Sequence, residues 1–156
     1  MKHILLLLVS VSLISCGASK NVSINKKEIK GDWTLSTVSY SEAGEYAITL
    51  LNDASKACFE GSTWQFIPNN NTGTYMISDS NCGTGERNFN FTIQEVDKVT
   101  GLYDFLLKPT NPKGKSQNNV GFRLELTQLT ENTMVWQQTL AVEGKPFTIT
   151  MNFSKY

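Results

Sequence analysis

The sequence predicts an all-β fold, an eight-stranded antiparallel up-and-down β-barrel behind a short export segment. Three observations predict it. From Gly31 onward the chain is a series of short segments rich in aromatic and β-branched residues, several of which alternate apolar and polar side chains. That period of two gives a half-buried strand one apolar face. Clusters of Asn, Gly, Pro, Asp and Thr separate the segments and supply turns. No long helical pattern lies between them, which excludes parallel βαβ units.

The first strand is read over Trp33–Tyr40. Ser41–Ser62 is the one long interruption; within it Ala47–Phe59 is expected to hold a helical turn or two, with Asp53 capping Ala54-Ser55-Lys56-Ala57. The second strand is Thr63–Ile67, and Pro68-Asn69-Asn70-Asn71-Thr72-Gly73 turns the chain into the third, Thr74–Ser78. Asp79–Glu86 is a polar loop carrying Cys82. In the fourth strand, Arg87–Val96, Phe89, Phe91 and Ile93 face one way and Asn88, Asn90, Thr92 and Gln94 the other. The fifth runs over about Leu102–Lys108, and Pro109–Asn119 is a loop. The sixth is Gly121–Leu129, followed by the turn Thr130-Glu131-Asn132. The seventh, Met134–Val142, turns at Glu143-Gly144 into the eighth, Lys145–Ser154. One-sided alternation fits a sandwich as well as a barrel; the short connections favour the barrel, whose closure removes exposed edges.

The N-terminus reads as an address. Lys2 and His3 precede an apolar run from Ile4 to Ile14 that is shorter than the roughly 20 residues a spanning helix needs. It has the length of a signal-peptide core. The run ends in Leu13-Ile14-Ser15-Cys16-Gly17, which resembles the bacterial lipobox. That resemblance implies cleavage after residue 15 and a diacylglycerol on the Cys16 thiol. Residues 1–15 are then a lipoprotein signal peptide, 16–29 a polar tether, and 30–156 the folded domain. Membrane attachment is expected through lipid. Gly17 after the cysteine fits outer-membrane sorting in a Gram-negative cell envelope.

Removing fifteen of the 156 residues leaves 141, one domain's worth of chain. Losing Lys2 takes the 14 basic residues to 13 against 14 acidic. No basic stripe follows a phosphate backbone, so nucleic acid is not an expected partner. Of the three cysteines, lipidation accounts for Cys16. Cys58 and Cys82, in an oxidising compartment, are expected to pair, the alternative being two buried thiols.

A family resemblance follows from several of these stretches. Gly31-Asp32-Trp33 matches the Gly-x-Trp signature that opens the first strand of lipocalins. Cys58 with Ser62-Thr63-Trp64-Gln65-Phe66, Asn70 to Tyr75, Cys82, and Leu126 through Trp136 are similar to the lipocalin-like lipoproteins of Bacteroidetes-type bacteria. The similarity covers about residues 30 to 155. It implies a lipocalin-like barrel able to hold a small apolar ligand, with Gly31 and Trp33 structural at the closed bottom. It also implies a late basic residue over Trp33, for which Lys155 and Arg123 are the candidates.

The inward faces are expected to carry Trp33, Leu35, Trp64, Phe66, Phe89, Phe91, Tyr103, Phe105, Phe122, Leu124, Trp136, Phe147, Ile149 and Met151. As a binding site, the candidates are Trp64, Phe66, Phe89, Phe91, Tyr103, Phe105, Phe122 and Trp136, with Arg87 and Gln138 as polar groups near the mouth. As plain packing, the same side chains fill the barrel, which has room for either outcome. In that case the domain presents the loops 41–62 and 109–119 to an envelope protein. Catalysis has little support: the single histidine, His3, leaves with the signal, and the carboxylates show no acid–base or calcium spacing. No metal or cofactor is expected.

Overall fold

The computed structural model describes residues 26–97, 99–116 and 118–156. The signal peptide, Cys16 and tether residues 17–25 lie outside the described residues. Ten strands appear in the order β1 (Gly31–Tyr40), β2 (Thr49–Leu50), β3 (Ala54–Ser55), β4 (Thr63–Ile67), β5 (Thr72–Ile77), β6 (Gly85–Val96), β7 (Tyr103–Thr110), β8 (Phe122–Leu129), β9 (Thr133–Val142) and β10 (Lys145–Lys155). Eight close a barrel in the order β1-β10-β9-β8-β7-β6-β5-β4, and β2 and β3 form a separate hairpin. Every barrel pairing is antiparallel, so the expected up-and-down barrel is the observed one.

Three register shifts bend the wall, between Leu35 and Thr37, Ile93 and Glu95, and Leu126 and Gln128. Such bulges raise the local twist that closure demands. Strand β1 pairs with β4 only over Gly31–Thr34. Beyond that, Leu35 N–H donates to the Ser62 carbonyl (3.0 Å) and Gly61 N–H to the Leu35 carbonyl (2.8 Å). The Glu60 carboxylate accepts from Val38 N–H (2.8 Å), so loop atoms finish the edge that β4 is too short to cover.

The expected inward residues are buried except Phe122, which is half-buried at the start of β8. Tyr75, Ile77, Leu107, Leu126, Met134 and Phe153 join them. Residues 26–29, read from sequence as the end of the tether, are helical and packed: Ile29 is fully buried. Its carbonyl accepts from Trp33 Nε1–H at 2.9 Å. An apolar side chain beside a large buried ring is drawn out of water, so residues 26–29 belong to the folded domain. Lys155 Nζ sits 4.9 Å from the Trp33 ring centroid and donates to the Glu28 carbonyl (2.8 Å). Lys155 is thus the basic residue over Trp33, while Arg123 binds Asp104 at 3.0 and 2.8 Å.

Gly73 has no room for a side chain: a Cβ there would overlap the Gln65 carbonyl oxygen and the Phe89 ring. Gly73→Ala is expected to destabilise the fold by about 1–3 kcal/mol, the usual cost of overpacking. Urea denaturation checks this; an unchanged midpoint would contradict the close approach.

Candidate functional site

The barrel has two unlike ends. At the Trp33 end the helical turn 26–29 packs against the wall. At the other end lies a lid, residues 41–62. The β2–β3 hairpin turns through Leu51 and Asn52, both with positive φ (51° and 56°). A leucine in the left-handed region is disfavoured, but Leu51 is only 4 % exposed, and its burial offsets that cost. The helical turn expected over Ala47–Phe59 shrinks to α1, Lys56–Phe59, and Ser55 takes the N-cap position without a side-chain bond. Asp53 is not the cap. Its Oδ2 accepts from the Tyr75 hydroxyl (2.9 Å) and from Arg87 Nε–H (3.0 Å).

These contacts draw the lid onto the barrel. Leu50, Leu51 and Phe59 are buried, with Phe59 5.4 Å from the Tyr75 ring and 6.1 Å from Trp64. Arg87 also donates to the carbonyls of Gly85 (2.6 Å) and Gly83 (2.5 Å), so its guanidinium ties the lid to the β5–β6 loop. The same two segments are joined by the expected disulfide, Cys58–Cys82, with a Cα–Cα distance of 5.6 Å. Sequence reasoning placed Arg87 at the rim but missed Asp53, Tyr75 and the lid side chains. The available signal was the large apolar side chains Leu50, Leu51 and Phe59 inside a long loop.

Inside, the candidate rings meet around Trp136. Its centroid lies 5.4 Å from Trp64, 5.5 Å from Phe66, 4.9 Å from Phe105 and 4.5 Å from Phe153. Phe66 in turn lies 5.5 Å from Phe89 and 6.0 Å from Phe91. Rings from β4, β6, β7, β9 and β10 therefore share one cluster. Tyr103 stands 6.2 Å from Phe105, nearer the Trp33 end. Phe122 and Gln138 are half-buried toward the lid end, Gln138 opposite Ile149.

The interior holds polar atoms as well. Trp64 Nε1–H donates to Ser62 Oγ (2.9 Å), and that hydroxyl donates to the Phe59 carbonyl (2.5 Å). Among the described residues, Tyr40 Oη, Tyr103 Oη and Trp136 Nε1 are buried with no hydrogen-bond partner. Burial pushes the Tyr103 hydroxyl well above the ordinary tyrosine range; burial and the Asp53 carboxylate do the same to Tyr75. The Tyr40 hydroxyl is raised by burial and by Glu60. Asp97, capped by the N–H groups of Thr100 and Val99, is held below the usual carboxylate range. Among the described residues, no group of three His, Cys, Asp or Glu side chains can hold a metal ion.

A closed eight-stranded barrel opening on Gly-x-Trp, with a lysine over that tryptophan, is accompanied by a match of residues 29–136 to the model of the lipocalin-like domain. The chain belongs to the lipocalin-like domain family. No curated protein matches this lipocalin-like chain. Among solved structures it is similar to a lipocalin-like protein from Bacteroides uniformis, at 10 % identity and a TM-score of 0.49, covering 83 % of this chain and 99 % of that one. It is also similar to the odorant-binding protein from bovine nasal mucosa, at 13 % identity and a TM-score of 0.44, covering 90 % and 76 %. A complex of bovine odorant-binding protein with a selenium-containing odorant gives 12 % identity and a TM-score of 0.42, covering 90 % and 75 %.

Two outcomes are expected. Because the folded state favours the neutral forms of Tyr40, Tyr75 and Tyr103, stability is full below pH 10, the ordinary tyrosine value. It declines as pH rises above that value, where the unfolded phenols ionise first. Urea midpoints recorded alongside tyrosinate absorbance check this, and a flat midpoint up to about pH 12 would exclude it. The double variant Cys58→Ser/Cys82→Ser, which opens a loop with a sequence separation of 24, is expected to lose about 3 kcal/mol. The same denaturation experiment measures it.

Proposed function

We propose that this lipocalin-like protein is a lipid-anchored, non-catalytic binding protein of the bacterial cell envelope that takes a small hydrophobic ligand into its barrel. The observation that carries the reading is the interior itself, a wall of Trp, Phe, Tyr, Leu, Ile and Met side chains to which every barrel strand contributes. Such a wall favours apolar matter over water. The lipobox-like segment ending at Cys16 supports the anchor, and Gly17 supports the outer membrane of a Gram-negative cell. The carboxylates Asp53 and Asp104 are engaged with arginines and Asp97 with its own turn, which supports a binding role over acid–base chemistry.

A second reading has its own support. The rings touch across the barrel around Trp136, and the lid seats Phe59 at the end of the cluster. On that reading the barrel is a solid scaffold that presents its loops to an envelope protein. Native mass spectrometry of the protein purified from its own bacterium separates the two. Ligand binding gives an adduct of a few hundred daltons that organic solvent extracts; a scaffold gives the bare acylated mass. The anchor is checked by the same spectrum. Cys16→Ser is expected to remove the diacylglycerol mass and release the protein from membranes, and a membrane-bound, unacylated wild type would rule the anchor out.

A further inference from the structure

The lid end is held shut by the disulfide, by the Asp53–Arg87 pair and by three buried apolar side chains. A gap in the wall lies elsewhere. Strands β7 and β8 pair only over Asp104–Leu107 with Phe122–Glu125. Toward the Trp33 end the ladder stops, although β8 runs on to Leu129 and carries a register shift at Thr127. A cleft of about 450 Å³ occupies this seam, lined by Leu102, Tyr103 and Leu126 together with Asp97, Asp104 and Glu125.

Tyr103 lines the cleft while being only 3 % exposed, and its hydroxyl has no partner. The β7–β8 register, continued by one pair, sets Tyr103 opposite Leu126, and Leu126 pairs with Trp136 on β9. Trp136, fully buried, carries another unpartnered donor, the third such atom among the described residues being Tyr40 Oη at the lid end of β1. Two buried donors at one level of an apolar wall are costly unless an acceptor meets them. The charged side chains lining the cleft are carboxylates, and the one arginine at hand is engaged with Asp104. An anionic ligand would be repelled there.

We propose that the seam between β7 and β8 is the entry to the binding site. Its ligand class is a small, uncharged, mainly apolar molecule bearing one acceptor oxygen, as in a ketone, ester or ether. Tyr103 donates to that oxygen, and Trp136 is the second donor. The proposal rests on the ligand-binding reading above and adds to it the ligand's chemistry and its route.

Isothermal titration of the mature protein with three naphthalenes of matched size tests this: 2-acetylnaphthalene, 2-ethylnaphthalene and 2-naphthoate. The ketone is expected to bind about tenfold more tightly than the hydrocarbon, and the carboxylate more weakly than both. Tyr103→Phe is expected to remove most of the ketone's advantage over the hydrocarbon while leaving the hydrocarbon unchanged. Thr127→Trp, which crowds the cleft, is expected to slow association in stopped-flow, whereas Cys58→Ser/Cys82→Ser, which loosens the lid, leaves the rate unchanged. Equal binding of ketone and hydrocarbon by the wild type overturns the role of Tyr103 and Trp136 as donors to the ligand and leaves ligand binding standing. Faster association in the lid variant overturns the seam as the route. Failure of all three compounds to bind overturns the ligand-binding reading together with this one.

Discussion

Closing eight strands on themselves leaves an interior only wide enough for packed side chains or one small ligand. Every other feature of this molecule answers to that limit. The chain meets it with aromatic rings, which carry much apolar area at small cost in side-chain freedom. Trp136 stands where four rings from three other strands converge, within 4.5 to 5.5 Å of Trp64, Phe66, Phe105 and Phe153. Gly73 is bare because the Phe89 ring lies against it. The three bulges allow the wall to curve tightly enough to bring these rings together.

The same limit explains the ends. A barrel filled with rings must be sealed from water where the rings stop. At one end the seal is Trp33 with Ile29 and Lys155. At the other it is the lid, which pushes Phe59 against Tyr75 and is fastened by a covalent bond and by Asp53. Arg87 is central to that fastening. Its three donor groups reach the lid and two carbonyls of the neighbouring loop, so a residue that sits in register with the ring-bearing face of β6 works as a clasp.

A filled barrel and a binding barrel are not opposites in this molecule. Tyr103 Oη and Trp136 Nε1 remain unpaired inside it, and the four-pair ladder of β7 with β8 lies beside Tyr103. A ligand that met those donors would replace ring contacts with others of similar kind and satisfy atoms that are otherwise desolvated without recompense. The lid then serves as structure, and the seam is where the wall can part.

Much was legible in the sequence because it depends on local pattern. The period of two in Phe89-Asn90-Phe91 and in Phe147 to Phe153 determined the strands and their inner face, since a strand alternates whatever it packs against. Asn and Gly marked the hairpins, and export chemistry pointed to the Cys58–Cys82 pair. Other features were decided by contacts far apart in the chain. Asp53 reads as a helix cap because caps are local, yet it turns to Tyr75 and Arg87, 22 and 34 residues away. Residues 26–29 read as tether because most of them are polar, yet Lys155, 127 residues away, binds the Glu28 carbonyl and Ile29 is buried. Side-chain type and spacing set which way each ring faces; only the closed barrel decided which rings touch, which donors stay unpaired and where the wall is thin, because those depend on register and shear across strands that never meet in sequence.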